Sequence, residues 1–317
     1  MKSRLVLMES SYRGWILEGI IRESSAAIGI RPRIVWIPSK KRDLLNIKNI
    51  VSLLRFLSFS KSVLIVNQKL YLRLRKIPGI WYLAKLGKCV DIYFTHESDI
   101  SELVLYCNAD EDLRSVITFN SEDSAKLKKC LSPRIQIKVS YGAVDRSTYK
   151  PNLHQEAGSK KFVLIAGIMN QRKNPDIIKN IIESNPDIEF VIHGDNWNRL
   201  WADEGKSLNH LQILEFELAR HPNLIREASC LLSISNLEGG PYPTLESLAS
   251  GTPVVASRTG WNPELVTSKN GVLLQAGFSG SDVRLAILAA FKIKSRFGET
   301  DLLPQEYNWE RVGRSLF

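Results

Sequence analysis

Short runs of β-branched and aliphatic residues recur along this chain, each followed by a longer stretch with apolar residues at helical spacing. That alternation confines the fold to parallel strands joined by crossover helices. In the first half the runs are RLVLM (4–8), RIVWI (33–37), SVLIVN (62–67), VDIYF (90–94), SVITF (115–119) and RIQIKV (134–139). The segment from Tyr141 to Lys161 then breaks the rhythm with glycine, proline and charge, as a linker does. A second series follows: FVLIAG (162–167), IEFVIHG (188–194), CLLSIS (230–235), PVVAS (253–257) and GVLLQ (271–275). A length of 317 residues and 44% hydrophobic content suit two packed cores. The expected fold class is therefore α/β, two Rossmann-like domains facing across a cleft.

The net charge of +10 is concentrated: residues 1–90 hold 18 Lys and Arg against 4 Asp and Glu, whereas the rest hold 25 against 29. A localised basic field suits an anionic partner such as phospholipid or nucleic acid; alternatively it is a solvated face that aids solubility. Cys89, Cys107, Cys130 and Cys230 are far apart, with no C-x-x-C pair, and read as buried thiols of a reducing compartment. Glu9 interrupts the first apolar run too early for a signal peptide, and no uninterrupted apolar run is long enough to span a bilayer. The expected location is the cytoplasm, with a peripheral place on the inner face of the membrane as an option.

The strand CLLSIS ends at Ser235 and is followed by Asn-Leu-Glu-Gly-Gly-Pro-Tyr-Pro-Thr-Leu-Glu. In an open parallel sheet ligands bind beyond the carboxyl ends of the strands, so this loop lies where chemistry occurs. Gly239 and Gly240 let backbone N–H groups approach a ligand, and Pro241 and Pro243 suit the start of a helix. That helix reads TLESLAS and stops at Gly251; its N-terminus is a site for a diphosphate. Glu246, inside the first turn, offers a carboxylate to the vicinal hydroxyls of a ribose. Alternatively Glu246 complements the helix dipole and Glu238 is a surface loop acid.

The spacing Glu238-x7-Glu246, followed by ESLASGTPVVAS and GWNPELV, closely resembles the signature of retaining glycosyltransferases of family 4, which have the two-domain GT-B fold. Weaker resemblance extends over most of the chain, through IKVSYGAVDRSTYKP (137–151), FVLIAGIMNQRKNPDII, VIHGDN and the final YNWERV. It implies an N-terminal acceptor-binding domain over 1–150, a C-terminal nucleotide-sugar-binding domain over 151–300, and a C-terminal helix in 301–317 that returns to the first domain. Carried over position by position, it implies that Glu238 lies against the donor sugar with the amides of Gly239 and Gly240 alongside. Lys173 would neutralise the diphosphate, Thr244 and Leu245 would offer amides to the distal phosphate, and Glu246 would hold the ribose. The family has arginine after the glycine of the first loop, whereas Gly167 is followed here by Ile168. Arg172 is the candidate to supply that charge, unless it is a solvated loop residue.

Breaking a glycosyl–phosphate bond leaves a nucleoside diphosphate with growing negative charge, which cations and a helix dipole can stabilise. No D-x-D stands at a strand end, and Asp110-Glu111-Asp112 reads as solvated acids, so no metal and no other cofactor is expected. In the first domain Tyr12, Arg13 and Gly14 follow the first strand and are candidates for the acceptor or the donor phosphate, unless Ser10 or Ser11 simply caps the helix. His96, after VDIYF, joins Glu238 and Lys173 as a catalytic candidate, unless it is structural. His193 reads as orienting the HGD turn. Between Lys40 and Lys88 basic residues alternate with Leu, Phe, Trp and Tyr, which suits an anionic bilayer interface, a single-stranded nucleic-acid groove, or helices that cover the sheet.

The resemblance implies transfer of a sugar, with retention and front-face attack, from a nucleoside-diphosphate sugar to a glycan or lipid-linked acceptor in cell-surface polysaccharide or glycolipid synthesis. The alternatives are a DNA-modifying glycosyltransferase and a nucleotide-sugar-binding subunit without turnover.

Overall fold

The structure, a computed structural model, describes residues 4–14, 16–40, 60, 62–85, 88–97, 99–151, 161–202, 208–297 and 299–317. The chain divides into two compact units, Met1–Ala143 with Asn308–Phe317, and Val144–Tyr307. Each contains one parallel sheet covered by helices, so the α/β architecture expected from the alternation is the one observed.

In the first unit the strands are β1 (Arg4–Glu9), β2 (Arg33–Ile37), β3 (Ser62–Val66), β4 (Cys89–Phe94), β5 (Leu113–Thr118) and β6 (Gln136–Val139). Their spatial order is β2-β1-β3-β4-β5-β6. Leu5, Val6, Leu7 and Met8 are all fully buried, which is why β1 reads as a continuous apolar run rather than an alternating one. From β1 the chain goes to one side for β2 and to the other for β3, so β1 and β3 flank a switch point where a crevice opens beyond their carboxyl ends.

One buried acid ties this unit together. Asp91 on β4 accepts from Arg4, Arg114 and Ser115, and Arg4 also donates to the carbonyl of Leu316. Burial alone would raise the Asp91 carboxyl, but the hydrogen bond from Arg114 and the charge of Arg4 outweigh it and hold it below the usual range. The helix Trp309–Leu316 packs on the helix Ile16–Ala27. Gly313 lies at the crossing, where a Cβ would stand 2.2 Å from the Ser24 carbonyl oxygen.

The helices Gln68–Arg75 and Pro78–Lys85 carry the second half of the basic, aromatic stretch. Their apolar side is core: Leu70, Tyr71, Leu74, Ile80, Trp81 and Ala84 are buried. Their bases are matched within the unit, Arg73 by Glu9, Lys76 by Glu102, Lys85 by Asp112 and Lys69 by Glu97, while Arg75 stacks over Trp81 and Tyr106. In this half of the stretch the composition serves sheet coverage. The first half lies, at 41–59 and 61, outside the described residues.

Two expectations are corrected here. Asp110 is not a solvated acid: it is 1% exposed, Tyr71 donates to it at 3.2 Å, and burial raises its carboxyl. Asp112 is turned to Lys85. Tyr71→Phe removes a donor from this buried acid and should cost about 1.5–3 kcal/mol in a urea titration; an unchanged midpoint would mean that Asp110 is satisfied without it. Of the four thiols, Cys107 and Cys230 are buried but Cys89 and Cys130 are exposed. Burial pushes the Cys107 thiol up to about 12.

In the second unit the strands are β7 (Phe162–Ala166), β8 (Glu189–His193), β9 (Leu211–Leu214), β10 (Cys230–Ser233), β11 (Val254–Ala256) and β12 (Gly271–Leu273), in the order β12-β11-β10-β7-β8-β9. The sequence reading had no strand at LQIL. That segment is short, pairs with β8 at the sheet edge and is partly exposed, so it lacks the continuous apolar run that marks the central strands. Here the switch point lies between β7 and β10. No helix among the described residues is long and apolar enough to cross a membrane.

Candidate active site

Beyond the carboxyl ends of β7 and β10 two loops are stitched together. Asn174 takes a left-handed conformation, φ 53°, and its side-chain amide donates to the Ile234 carbonyl at 2.6 Å. The Asn236 N–H donates to the Arg172 carbonyl at 2.7 Å, and Arg172 Nη1 donates to the Leu237 carbonyl at 3.2 Å. These bonds bring Lys173 Nζ to 2.8 Å from Glu238 Oε1 and Arg172 Nη1 to 3.6 Å from Oε2. Glu238 is 10% exposed at its side chain. Burial pushes its carboxyl up, but the charge and hydrogen bond of Lys173, then Arg172 and Ser235, overcome this and hold it below the ordinary value. Glu238 is therefore a buried carboxylate, not a surface loop acid, while Arg172 is part-exposed, with its guanidinium turned to Glu238 and the Leu237 carbonyl.

Gly167 supplies the floor beneath the ammonium. Its φ of +112° excludes other residues, and a Cβ there would lie 3.6 Å from Lys173 Cε. The Gly167 carbonyl accepts from Trp197 Nε1 at 2.7 Å and presses on Gly194, where a Cβ would stand 2.0 Å from it. Ile168, at the position of the family arginine, is 43% exposed.

The helix after the Gly-Gly-Pro loop spans Tyr242–Ala249, so it starts before Thr244 and Glu246 lies in its second turn. It has no side-chain cap and no acid in its first turn, which leaves its positive end uncompensated by its own side chains. Thr244 is committed locally: its N–H donates to the Pro241 carbonyl at 2.9 Å and its hydroxyl to Asn262 Oδ1 at 2.9 Å. Leu245 is fully buried. The need for glycine at 240 is a packing need, because a Cβ would stand 2.2 Å from the ring of the fully buried Trp261.

Glu246 does not serve the dipole of its helix. Its Oε2 is 3.1 Å from His221 Nε2, and Tyr149 is hydrogen-bonded to it. His221 Nδ1 is 3.0 Å from His193 Nδ1, and His193 Nε2 accepts from the Glu217 N–H at 3.0 Å. His193 thus orients the 217 loop and His221 rather than the HGD turn. His221 carried no sequence signal, since nothing in HPNLIRE marks it and its partners are 25 and 28 residues away.

The other candidates belong to the first unit, at its own switch point. Tyr12 ends a 3₁₀ turn, Ser10–Tyr12, and accepts at its hydroxyl from Asn67 Nδ2 at 3.0 Å. Asn67, with φ 84°, also reaches Thr95, and Gln68 donates to the His96 carbonyl at 2.7 Å. Tyr12 and His96 therefore share one network through Asn67 and Gln68, two residues the sequence reading missed. Arg13 lies over the Trp36 ring, and the Gly14 N–H donates to Glu18 Oε2 at 2.8 Å. Ser10 and Ser11 are in the preceding turn, so neither caps the helix.

This fold is that of GT-B glycosyltransferases. The structure of Anabaena Alr3699/HepE in complex with UDP-glucose superposes with a TM-score of 0.73 at 15% identity, covering 100% of this chain and 98% of that one. The family model described as glycosyl transferases group 1 matches residues 149–294, which span most of the second unit. Spore coat protein SA of Bacillus subtilis (strain 168) is 25% identical over 220 residues, 58% of each chain. The putative glycosyltransferase YtcC of the same organism is 25% identical over 187 residues, 49% of this chain and 45% of that one. The chain thus matches about half the length of these curated relatives.

Proposed function

We propose that this chain is a retaining glycosyltransferase that moves a sugar from a nucleoside-diphosphate sugar to a glycan or lipid-linked acceptor in cell-surface polysaccharide or glycolipid synthesis, with no metal or other cofactor. The observation that carries the reading is the buried, ionised Glu238 held between Lys173 and Arg172 at the β7/β10 switch point, next to a helix N-terminus with no side-chain cap and no acid in its first turn. A carboxylate kept ionised accepts hydrogen bonds from sugar hydroxyls and does not donate a proton to the leaving group. The charge that develops on the diphosphate is then met by Lys173, Arg172 and the helix dipole. With no enzymatic acid at this point, the leaving phosphate oxygen takes the proton of the acceptor hydroxyl as that hydroxyl attacks from the same face. Glu246 holds the ribose.

Similarity to a protein solved with UDP-glucose favours a uridine donor, and Tyr12, Arg13, Gly14 and His96 are the acceptor-side candidates. The basic excess of residues 1–90 supports a peripheral place on an anionic membrane face, where a lipid-linked acceptor is presented. The purified protein's melting temperature should rise with one class among UDP-, GDP-, ADP- and dTDP-sugars. Glu238→Ala should abolish donor hydrolysis and transfer while still melting cooperatively, and the anomeric configuration of the product should match that of the donor. No shift with any of these sugars would sink the reading.

A further inference from the structure

We infer that His193 and His221 form a proton-fixed pair that aims the Glu246 carboxylate, which makes both of them positioning residues for whatever Glu246 holds. The inference rests on the ribose role proposed above for Glu246. It starts from one donor whose identity is beyond choice: the backbone N–H of Glu217, 3.0 Å from His193 Nε2. His193 Nε2 must carry a lone pair, so in the neutral ring the proton is on Nδ1. That proton points at His221 Nδ1, 3.0 Å away, which must in turn be an acceptor. The His221 proton is then on Nε2, facing Glu246 Oε2 at 3.1 Å. Every group in the row is thereby assigned, and the row ends as a donor to the carboxylate.

The pair cannot take up a second proton without breaking a bond. Protonating His221 sets two N–H groups against each other at the Nδ1–Nδ1 contact, and protonating His193 Nε2 sets an N–H against that of Glu217. Burial, then His221 and Arg220, lower the His193 imidazole against the opposing pull of Glu217 and Asp195, while Glu246, Tyr149 and Asp145 are the charged and titratable groups on the His221 side. Phe216 covers both imidazoles, with ring centroids 5.1 Å and 5.5 Å from theirs.

The acceptor count on Glu246 gives the pair its purpose. An ionised carboxylate has about four lone-pair sites. His221 takes one and the Tyr149 hydroxyl, held protonated by burial and by the charge of Glu246, takes another. The remaining two match the two hydroxyls of a ribose, and the fixed donors on the protein side prevent the carboxylate from turning away from them.

Two measurements on the full chain test this. Histidine ¹⁵N NMR should find His193 as the Nδ1–H tautomer and His221 as the Nε2–H tautomer. The opposite tautomer at either ring would overturn the pair. Dissociation constants for UDP and for 2′,3′-dideoxyuridine diphosphate are then compared in the wild type, Glu246→Ala, His221→Leu and His221→Gln. The wild type should prefer UDP by about tenfold. Glu246→Ala should erase the preference, His221→Leu should lose most of it without weakening the dideoxy compound, and His221→Gln, whose amide can donate in place of Nε2, should keep most of it. A preference absent from the wild type, or surviving in Glu246→Ala, overturns the ribose role itself. A preference lost in Glu246→Ala but intact in His221→Leu overturns the pair alone.

Discussion

Lys173→Ala should lower turnover by about 10²–10³-fold and also destabilise the protein. The rate effect follows from the role proposed for Lys173, that of a cation facing the charge that develops on the diphosphate. The stability effect follows from the partner left behind. Glu238 is 10% exposed, and Lys173 at 2.8 Å is its nearest charge, with Arg172 farther off at 3.6 Å. Breaking a buried pair by deleting one member costs about 3–5 kcal/mol, because the remaining charge stays desolvated; the residual interaction with Arg172 places the expectation at the lower end. The pH dependence has a definite sign. In the native protein the Glu238 carboxyl is held below its unfolded value, so it contributes stability above that value and loses it as the pH falls through the folded one. Without Lys173 that contribution shrinks, so the stability gap between wild type and variant should be widest near neutrality and close in acid. Initial rates with the nucleotide sugar that raises the melting temperature, together with urea titrations at several pH values, measure both effects. A folded Lys173→Ala protein with unchanged turnover would remove this residue from the site.

The second large effect is expected at Gly240. A methyl group there meets the Trp261 ring at 2.2–2.5 Å, and that ring has nowhere to go. It is fully buried, its Nε1 donates to the Pro241 carbonyl at 3.3 Å and Tyr242 packs against it at 5.4 Å. Gly240→Ala should therefore cost about 3 kcal/mol as overpacking. It should also lower turnover about 100-fold, since the displaced loop carries Glu238 and leads into the helix, and misplacement by about 1 Å has that consequence. Adding Trp261→Leu, which vacates the colliding ring atoms, should recover part of the stability, so that the double variant is less destabilised than the sum of the singles. An additive pair would show that the glycine answers to something other than the ring.

Eleven of the twelve described strands coincide with runs visible in the sequence: the central ones because strands buried on both faces must be continuously apolar, and the partly exposed edge strands β2 and β6 through their β-branched residues. LQIL at 211–214 escaped, since it is a short, partly exposed edge strand with only one β-branched residue. The motif around Glu238 was legible for a related reason: a strand end, two glycines, two prolines and a helix form a local arrangement whose spacing survives in one dimension. Its internal assignments were less legible. Gly240 looks like a ligand-approach glycine, yet its constraint comes from Trp261, 21 residues on. Asp110 looks solvated in a run of three acids, yet Tyr71 and burial claim it. The bases of the Gln68–Arg75 and Pro78–Lys85 helices look like a surface field, yet acids on other elements match them.

By itself the sequence determined two parallel α/β units and the loop at 238–246, since periodicity and turn chemistry are properties of neighbouring residues. Only the tertiary structure decided which groups meet. The strand order of each sheet creates a switch point, and there β7 and β10, far apart in the chain, bring Lys173 and Arg172 against Glu238, while β1 and β3 bring Tyr12 against Asn67. The pairing of His193 with His221 behind Glu246 arises in the same way, from the end of β8 and the start of the His221–Glu227 helix. Such contacts depend on how strands are ordered in space, and a linear pattern carries no record of that order.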